Sequence, residues 1–235
     1  MEALIQTFFN PEIIAASWPI VLAGLRNTVL LSLLVVPLGL FGGLILALLA
    51  SAKNPAVRWP LMAWVDFFRA FPPLVLLVLL FAGLPFAGLE LGGFVCVAVA
   101  FFLNTGAYYG EILRAGIDSV PAGQVEAARS TGLSRLQAMA YVVLPQAVRN
   151  VLPDLLSNTL EVVKLTSLGS VVAVPELLYQ ARQAQSITYN PTPIVVAAII
   201  YFLMLYPVVR LLSQLENRSL AGQEGATSLT CPEAR

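Results

Sequence analysis

The sequence predicts an all-α, polytopic membrane protein, and three observations carry that reading. Hydrophobic residues make up 58% of the 235-residue chain and charged residues only 11%, whereas soluble domains run at roughly 45–50% apolar and about 25% charged. Mean hydropathy is +0.83. Several charge-free runs are also long enough to cross a hydrocarbon core of about 30 Å, which takes about 20 residues as helix. The 13 basic and 13 acidic residues balance, so no net charge draws the chain to nucleic acid. Histidine is absent, which excludes His-dependent triads and His metal sites. Cys96 and Cys231 lie too far apart in character, one in an apolar run and one in a polar tail, to suggest a disulfide framework.

The elements follow in order. Residues 1–18 are expected as an outer, periplasmic segment, short and amphipathic. It is not a cleaved signal, because Glu2 and Glu12 stand where a positive region belongs and no basic residue precedes Arg26. A membrane domain over 19–212 then holds five spans: Asn27 to Ala52, Ala70 to Leu89, Leu91 to Gly110, a weaker Val151 to Val174 interrupted by Asp154, Glu161 and Lys164, and Gln183 to Val209. The polar residues 213–235 are expected as a mobile cytoplasmic tail. Basic residues set the orientation. Lys53, Arg58, Arg114, Arg129, Arg135, Arg149 and the tail arginines fall on one side, Arg182 alone on the other. The amino terminus is therefore outside and the carboxyl terminus in the cytoplasm of a cell inner membrane.

The third connection, 118–145, is too polar to span and too patterned to be slack. Ser119 is read as the cap of a helix beginning near Pro121, with Glu126 toward its positive end and Arg129 toward its negative end. Gly132 supplies the left-handed stop, and Ser134-Arg135-Leu136-Gln137 has capping-box form for a second helix running toward Pro145. Such an elbow can either lie on lipid headgroups or present Ala127 and Ala128 as a narrow surface to a groove in a partner.

Charges inside a membrane are costly and normally face protein or water. Glu161 and Lys164 share a helical face with Ser157 and Leu168. Either they neutralise each other or this face lines a watery route. Asp66 and Arg69 precede Pro72-Pro73, which should break the second span. Arg69 suits a carboxylate by its planar fork or pairs with Asp66. Asn104, Tyr108 and Glu111 recur at helical spacing and form either a stripe toward a cavity or interhelical hydrogen bonds. Gly39, Gly42 and Gly43 favour close helix packing.

Glu126-Ala127-Ala128, Gly132 and Leu144-Pro145 resemble the signature cytoplasmic loop of permease subunits of ABC importers. Gly116-Ile117-Asp118-Ser119-Val120-Pro121-Ala122-Gly123-Gln124 and Leu144-Pro145-Gln146-Ala147 are similar to the branch that imports polar amino acids. The resemblance runs from about Gly24 to Leu215. It implies that Gln124, Glu126, Ala127, Ala128 and Gly132 couple to a cytoplasmic ABC ATPase dimer, and that a solute-binding protein outside delivers the polar amino acid. It also implies that a second permease, identical or related, completes the path. Lys164-Leu165-Thr166-Ser167-Leu168 resembles a Lys-Asp-Thr-Ser-Leu pattern with the acid replaced. Phe68-Arg69 resembles the start of Phe-Arg-Gly-Thr-Pro, departing at Ala70 and Phe71. Arg69, Asn104, Tyr108, Glu111, Ser157, Glu161 and Lys164 are the expected route residues.

The chain has only two lysines and no Gly-x-x-x-x-Gly-Lys-Ser/Thr loop. It is thus expected to be no enzyme and to hold no cofactor or metal, with ATP-Mg bound by the partner. The alternative is an ATP-independent ion-coupled carrier or channel relying on Glu161, Lys164 and Glu111. Its expected mark, an internal repeat, is missing.

Overall fold

The computed structural model describes residues 2–51 and 54–228, the side chains of 3, 5, 211 and 215–228 excepted. Lys53 and residues 229–235 lie outside the described residues, so the expectations placed on them do too. Among the described residues every regular element is a helix.

A short helix, α1 (Glu2–Phe8), precedes α2 (Pro11–Ala50). Asn10 caps α2, its Oδ1 accepting from the Glu12 and Ile13 amides at 3.0 and 3.3 Å, and Pro11 fits the first turn. At 1.5 Å per residue the 40-residue helix is about 60 Å long. The first span is therefore part of a much longer helix than the charge-free run, and residues 11–18 belong to it. Small residues line its inner face. A Cβ on Gly43 would lie 2.6 Å from Cβ of Tyr109, and one on Gly39 3.2 Å from Cβ of Thr105. These glycines let α2 and α5 (Gly93–Asp118) pack backbone to backbone, as their spacing suggested. Gly42 faces the Phe102 ring instead.

The second span is broken as expected. α3 (Pro55–Ala70) ends at Phe71 in extended backbone and α4 (Pro73–Val78) departs at 96°. A π turn (Leu79–Gly83) and a 3-10 turn (Leu84–Ala87) carry the chain to Gly88 at φ 80°. The helical part starts at Pro55, earlier than the charge-free run, because Trp59, Trp64 and the Phe67-Phe68 pair suit a helix that carries Arg58, Asp66 and Arg69.

The third connection folds as two helical pieces. α6 (Ala122–Ser130) stops at Gly132, whose φ of 92° is the left-handed conformation assigned to it. α7 (Arg135–Ala138) opens with the expected capping box: Gln137 N–H donates to Ser134 Oγ at 3.3 Å, and Ser134 N–H donates to Gln137 Oε1 at 2.8 Å. The helix does not end at Pro145. A π turn (Met139–Val143) widens the coil and α8 (Leu144–Asn150) continues with Pro145 in its first turn, where no N–H is required. Two details of the expected first helix are corrected. Ser119 does not cap it; its hydroxyl donates to Gly116 O at 2.7 Å and accepts from Asn150 Nδ2 at 2.8 Å. Glu126 sits in mid-helix, beyond the first turn.

α9 (Leu152–Leu165) passes into a 3-10 turn (Thr166–Val172), and after a break at Ala173, φ 56°, α10 (Leu177–Thr188) leaves at 46°. α11 (Thr192–Ser228) returns. The run Gln183–Val209 is thus not one helix. Tyr189 adopts φ 50°, Asn190 Oδ1 accepts from Thr192 N–H at 2.9 Å, and Pro191 blocks continuation. Absence of charge alone hid the corner, although Asn190-Pro191 and Pro193, a plausible start for the apolar part, mark it in the sequence. The chain from Ser213 begins as helix rather than as a slack tail. Among the described residues α2, α5 and α11 are long and apolar enough to cross a membrane, and the number is five when each bent pair is taken as one span.

Candidate functional site

Three places hold the residues singled out from the sequence. The first is the elbow. On α6, Val125 and Ala128 turn inward, Ala128 to 7% exposure, while Gln124, Glu126 and Ala127 face out beside an exposed Gly132. The expectation that Ala127 and Ala128 form one surface is corrected. Ala127 is the outward alanine, and Ala128 is small because it packs on the protein's own side. Val125 packs with Val120, Val143, Ala147 and Val151 in a cluster that includes Leu113 and Ile117 of α5 and Leu155 of α9. A Cβ on Gly116 would meet Ala147 O at 2.8 Å, so α8 lies directly on the α5 backbone. With the Ser119–Asn150 bond, these contacts join the elbow to both adjoining spans.

The second place is the break in the second span. A helix end leaves its last carbonyls without partners, and α5 supplies donors. Asn104, 2% exposed, donates its amide to Phe68 O at 2.8 Å, and Tyr108 donates its hydroxyl to Arg69 O at 3.1 Å. For these two the stripe makes interhelical hydrogen bonds. Arg69 extends from the same break over the Tyr108 ring at 5.6 Å, with Glu111 at 3.9 Å and Asp66 at 4.0 Å. Its Nε is buried and without a hydrogen-bond partner among the described residues. Glu111 is held more tightly by Arg114, which binds both its oxygens at 2.6 and 2.9 Å and reaches Asp118 at 2.6 Å. Arg69 is therefore the loosely held member of this charged ladder.

The third place is a face of α9. Asp154, Ser157, Asn158, Glu161 and Lys164 line an open groove of about 490 Å³ closed by Ile112 of α5 and Leu212 of α11. Glu161 and Lys164 pair at 2.5 Å with both side chains largely exposed, and Ser167 donates to Lys164 O at 2.8 Å. Lys164 also borders a second cavity of about 280 Å³ with Ser167 and Tyr201. The structure thus brings Ser157, Glu161 and Lys164 together. The Arg69 group makes its own set of contacts between α3 and α5.

Sequence reading missed several polar residues. Tyr109, fully buried, shares a 2.7 Å hydrogen bond with Thr159, joining α5 to α9. Asn158 and Asp154 belong to the groove. Glu176 is completely buried and bonds Tyr201 of α11. An acid following proline and preceding an apolar run was the available sign of a helix cap at Glu176, hidden because it fell between two assigned spans.

Residues 39–220 match the family model described as binding-protein-dependent transport system inner membrane component. The chain is 38% identical over 177 residues to the "Probable amino-acid ABC transporter permease protein YckA" of Bacillus subtilis, covering 75% of this chain and 78% of that one. It is 32% identical to the nopaline transport system permease protein NocM of Agrobacterium fabrum, over 92% and 96% of the two chains. Among solved structures, an amino acid ABC transporter crystallised with histidines superposes with a TM-score of 0.78 at 35% identity, covering 87% of this chain and 96% of that one. These matches favour the ABC-importer reading over an ion-coupled carrier or channel. The chain belongs to the family of binding-protein-dependent transport system inner membrane components, whose members include permease subunits of ABC transporters.

Proposed function

We propose that this chain carries a polar amino acid or amino acid derivative inward across the cell membrane, powered by a separate ATPase dimer that alone binds ATP-Mg. A solute-binding protein outside hands over the ligand, and a second permease, identical or related, encloses the path. Residues 1–18 lie outside, 19–212 form the membrane domain with its coupling loop at 118–145, and the tail from 213 lies in the cytoplasm. The observation that carries the reading is mechanical. α6 presents Gln124, Glu126 and Ala127 outward and packs through Val125 on the π turn that leads into α8, and α8 rests on α5 at Gly116 and joins α9 at Val151. A pull on α6 therefore moves both spans together, which is what a rigid-body switch between two openings needs. Ser157, Glu161 and Lys164 offer the route hydroxyl, carboxylate and ammonium groups that match the charged ends of an amino acid, and Arg69, backed by Asn104, Tyr108 and Glu111, offers a loosely held guanidinium. The names of the relatives, which mention amino acids and nopaline, support this ligand class.

Glu126→Lys tests the reading. The variant is expected to insert and fold normally, to lose its co-purifying ATPase and to abolish ATP-driven uptake in vesicles. Unchanged assembly and uptake would remove α6 from the coupling role.

A further inference from the structure

Glu176 is the acid that the route leaves unexplained. It has no exposed surface, and none of the ion pairs of the described residues includes it. Its two oxygens accept from Leu178 N–H at 2.8 Å, Tyr179 N–H at 2.7 Å and the Tyr201 hydroxyl at 2.9 Å. Capping α10 does not require this residue. Asp, Asn, Ser or Thr cap helices well and reach less far. The extra methylene carries the carboxylate to a hydroxyl on α11, and a buried charge is tolerated only where donors surround it in this way.

The other side of α10 is held differently. Thr28 Oγ1 accepts from Leu177 N–H at 3.0 Å, Asn27 Nδ2 donates to Pro175 O at 2.8 Å, and a Cβ on Gly24 would stand 2.9 Å from Leu177 Cα. Close backbone packing thus fixes α10 to α2, whereas α11 meets α10 through an apolar cluster of Leu177, Ala181 and Ala197 and through the Tyr201 hydroxyl, which also interacts with Thr28 and Thr166. Tyr201 also forms the wall of the cavity that Lys164 and Ser167 border.

We propose that Glu176 is a positioning residue for transport: by accepting the Tyr201 hydroxyl it latches α11 to the unit that α10 forms with α2, beside the cavity that Lys164 lines, and release of this bond lets α11 part from α10. The inference rests on the transport reading given above.

Two variants separate latch from cap. Tyr201→Phe removes only the hydroxyl, and Glu176→Asp keeps a charged cap that is too short to reach Tyr201. Both are made in the full complex, co-expressed with its ATPase and reconstituted in vesicles. Each is also combined with Ser167→Cys, and labelling at position 167 by a membrane-impermeant thiol reagent added outside is followed by mass spectrometry. Both variants are expected to assemble and hydrolyse ATP. Uptake should fall and labelling at 167 should rise by about tenfold, the population change expected from losing one charge-assisted hydrogen bond. The double variant should be no worse than either alone. Wild-type uptake and labelling in both variants would reduce Glu176 to a cap and overturn the proposal. So would normal behaviour of Glu176→Asp alone, or failure of both variants to assemble. If wild type itself shows no ATP-dependent uptake, the transport reading is what fails, and the labelling comparison still reads the latch.

Discussion

Replacing Gly116 by valine asks whether the elbow moves its spans by direct contact. Gly116 lies on α5 where α8 crosses it. A Cβ there would approach Ala147 O to 2.8 Å and both Val151 methyl groups to 3.1 Å. The carbonyl cannot give way without moving α8, since Ala147 is fully buried and its neighbour Val143 is 3% exposed. Adding three carbons at such a site costs roughly 1–3 kcal/mol of overpacking. Helix propensity offsets only a few tenths, about the gap between glycine and valine in a helix interior. Relief comes from lifting α8 off α5, so the ratio of docked to lifted elbow should fall by roughly threefold to eightyfold at 1.4 kcal/mol per decade. The assay is uptake per ATP hydrolysed in reconstituted vesicles, with thermal unfolding in detergent beside it. Gly123→Ala, within α6 and with nothing in reach of its Cβ, serves as the control and should behave as wild type. Gly116→Val with normal coupling and unchanged melting would refute direct transmission through this contact.

Other outcomes follow from single contacts. Asn104→Ala strips the donor from the buried Phe68 carbonyl and should destabilise the fold by about 1–3 kcal/mol, read as a lower melting temperature; an unchanged melt would show that the carbonyl finds another partner. Glu161→Gln breaks an exposed pair worth about 0–1 kcal/mol, so melting should hold while uptake weakens and ATPase association persists. Normal uptake kinetics would return Glu161 to a neutralising role. Gly132→Val forces a β-branched residue into φ 92° and should loosen the elbow, seen as faster proteolysis between α6 and α7; unchanged cleavage would show that the stop does not depend on glycine.

The elbow was the most legible part of the chain, because each of its signals is local. Gly132 takes the positive φ that its place predicts, and Ser134 with Gln137 forms both bonds of the box. The Pro72-Pro73 break was legible for the same reason: proline's effect is confined to its own turn. What escaped depended on other helices. Ser119 ends α5 instead of capping α6, which starts after Pro121, two residues beyond it, and its hydroxyl meets Asn150, a partner thirty-one positions away. The inward turn of Val125 depends on Val143 and its neighbours, and the Tyr189 corner was passed over because the run was bounded by charge alone, although Asn190-Pro191 stands in it. Glu176 illustrates the limit best. Its partner Tyr201 lies on the next helix, and no spacing rule within α10 names it.

The central claim, that α6 is the handle on which an outside motor pulls, is tested most directly by a thiol at its outward face. With Ala127→Cys in membrane vesicles of known sidedness, an impermeant reagent should label the residue only from the cytoplasmic side, and assembly with the ATPase should protect it. Labelling from the opposite side, or equal labelling with the ATPase bound and absent, would contradict the account.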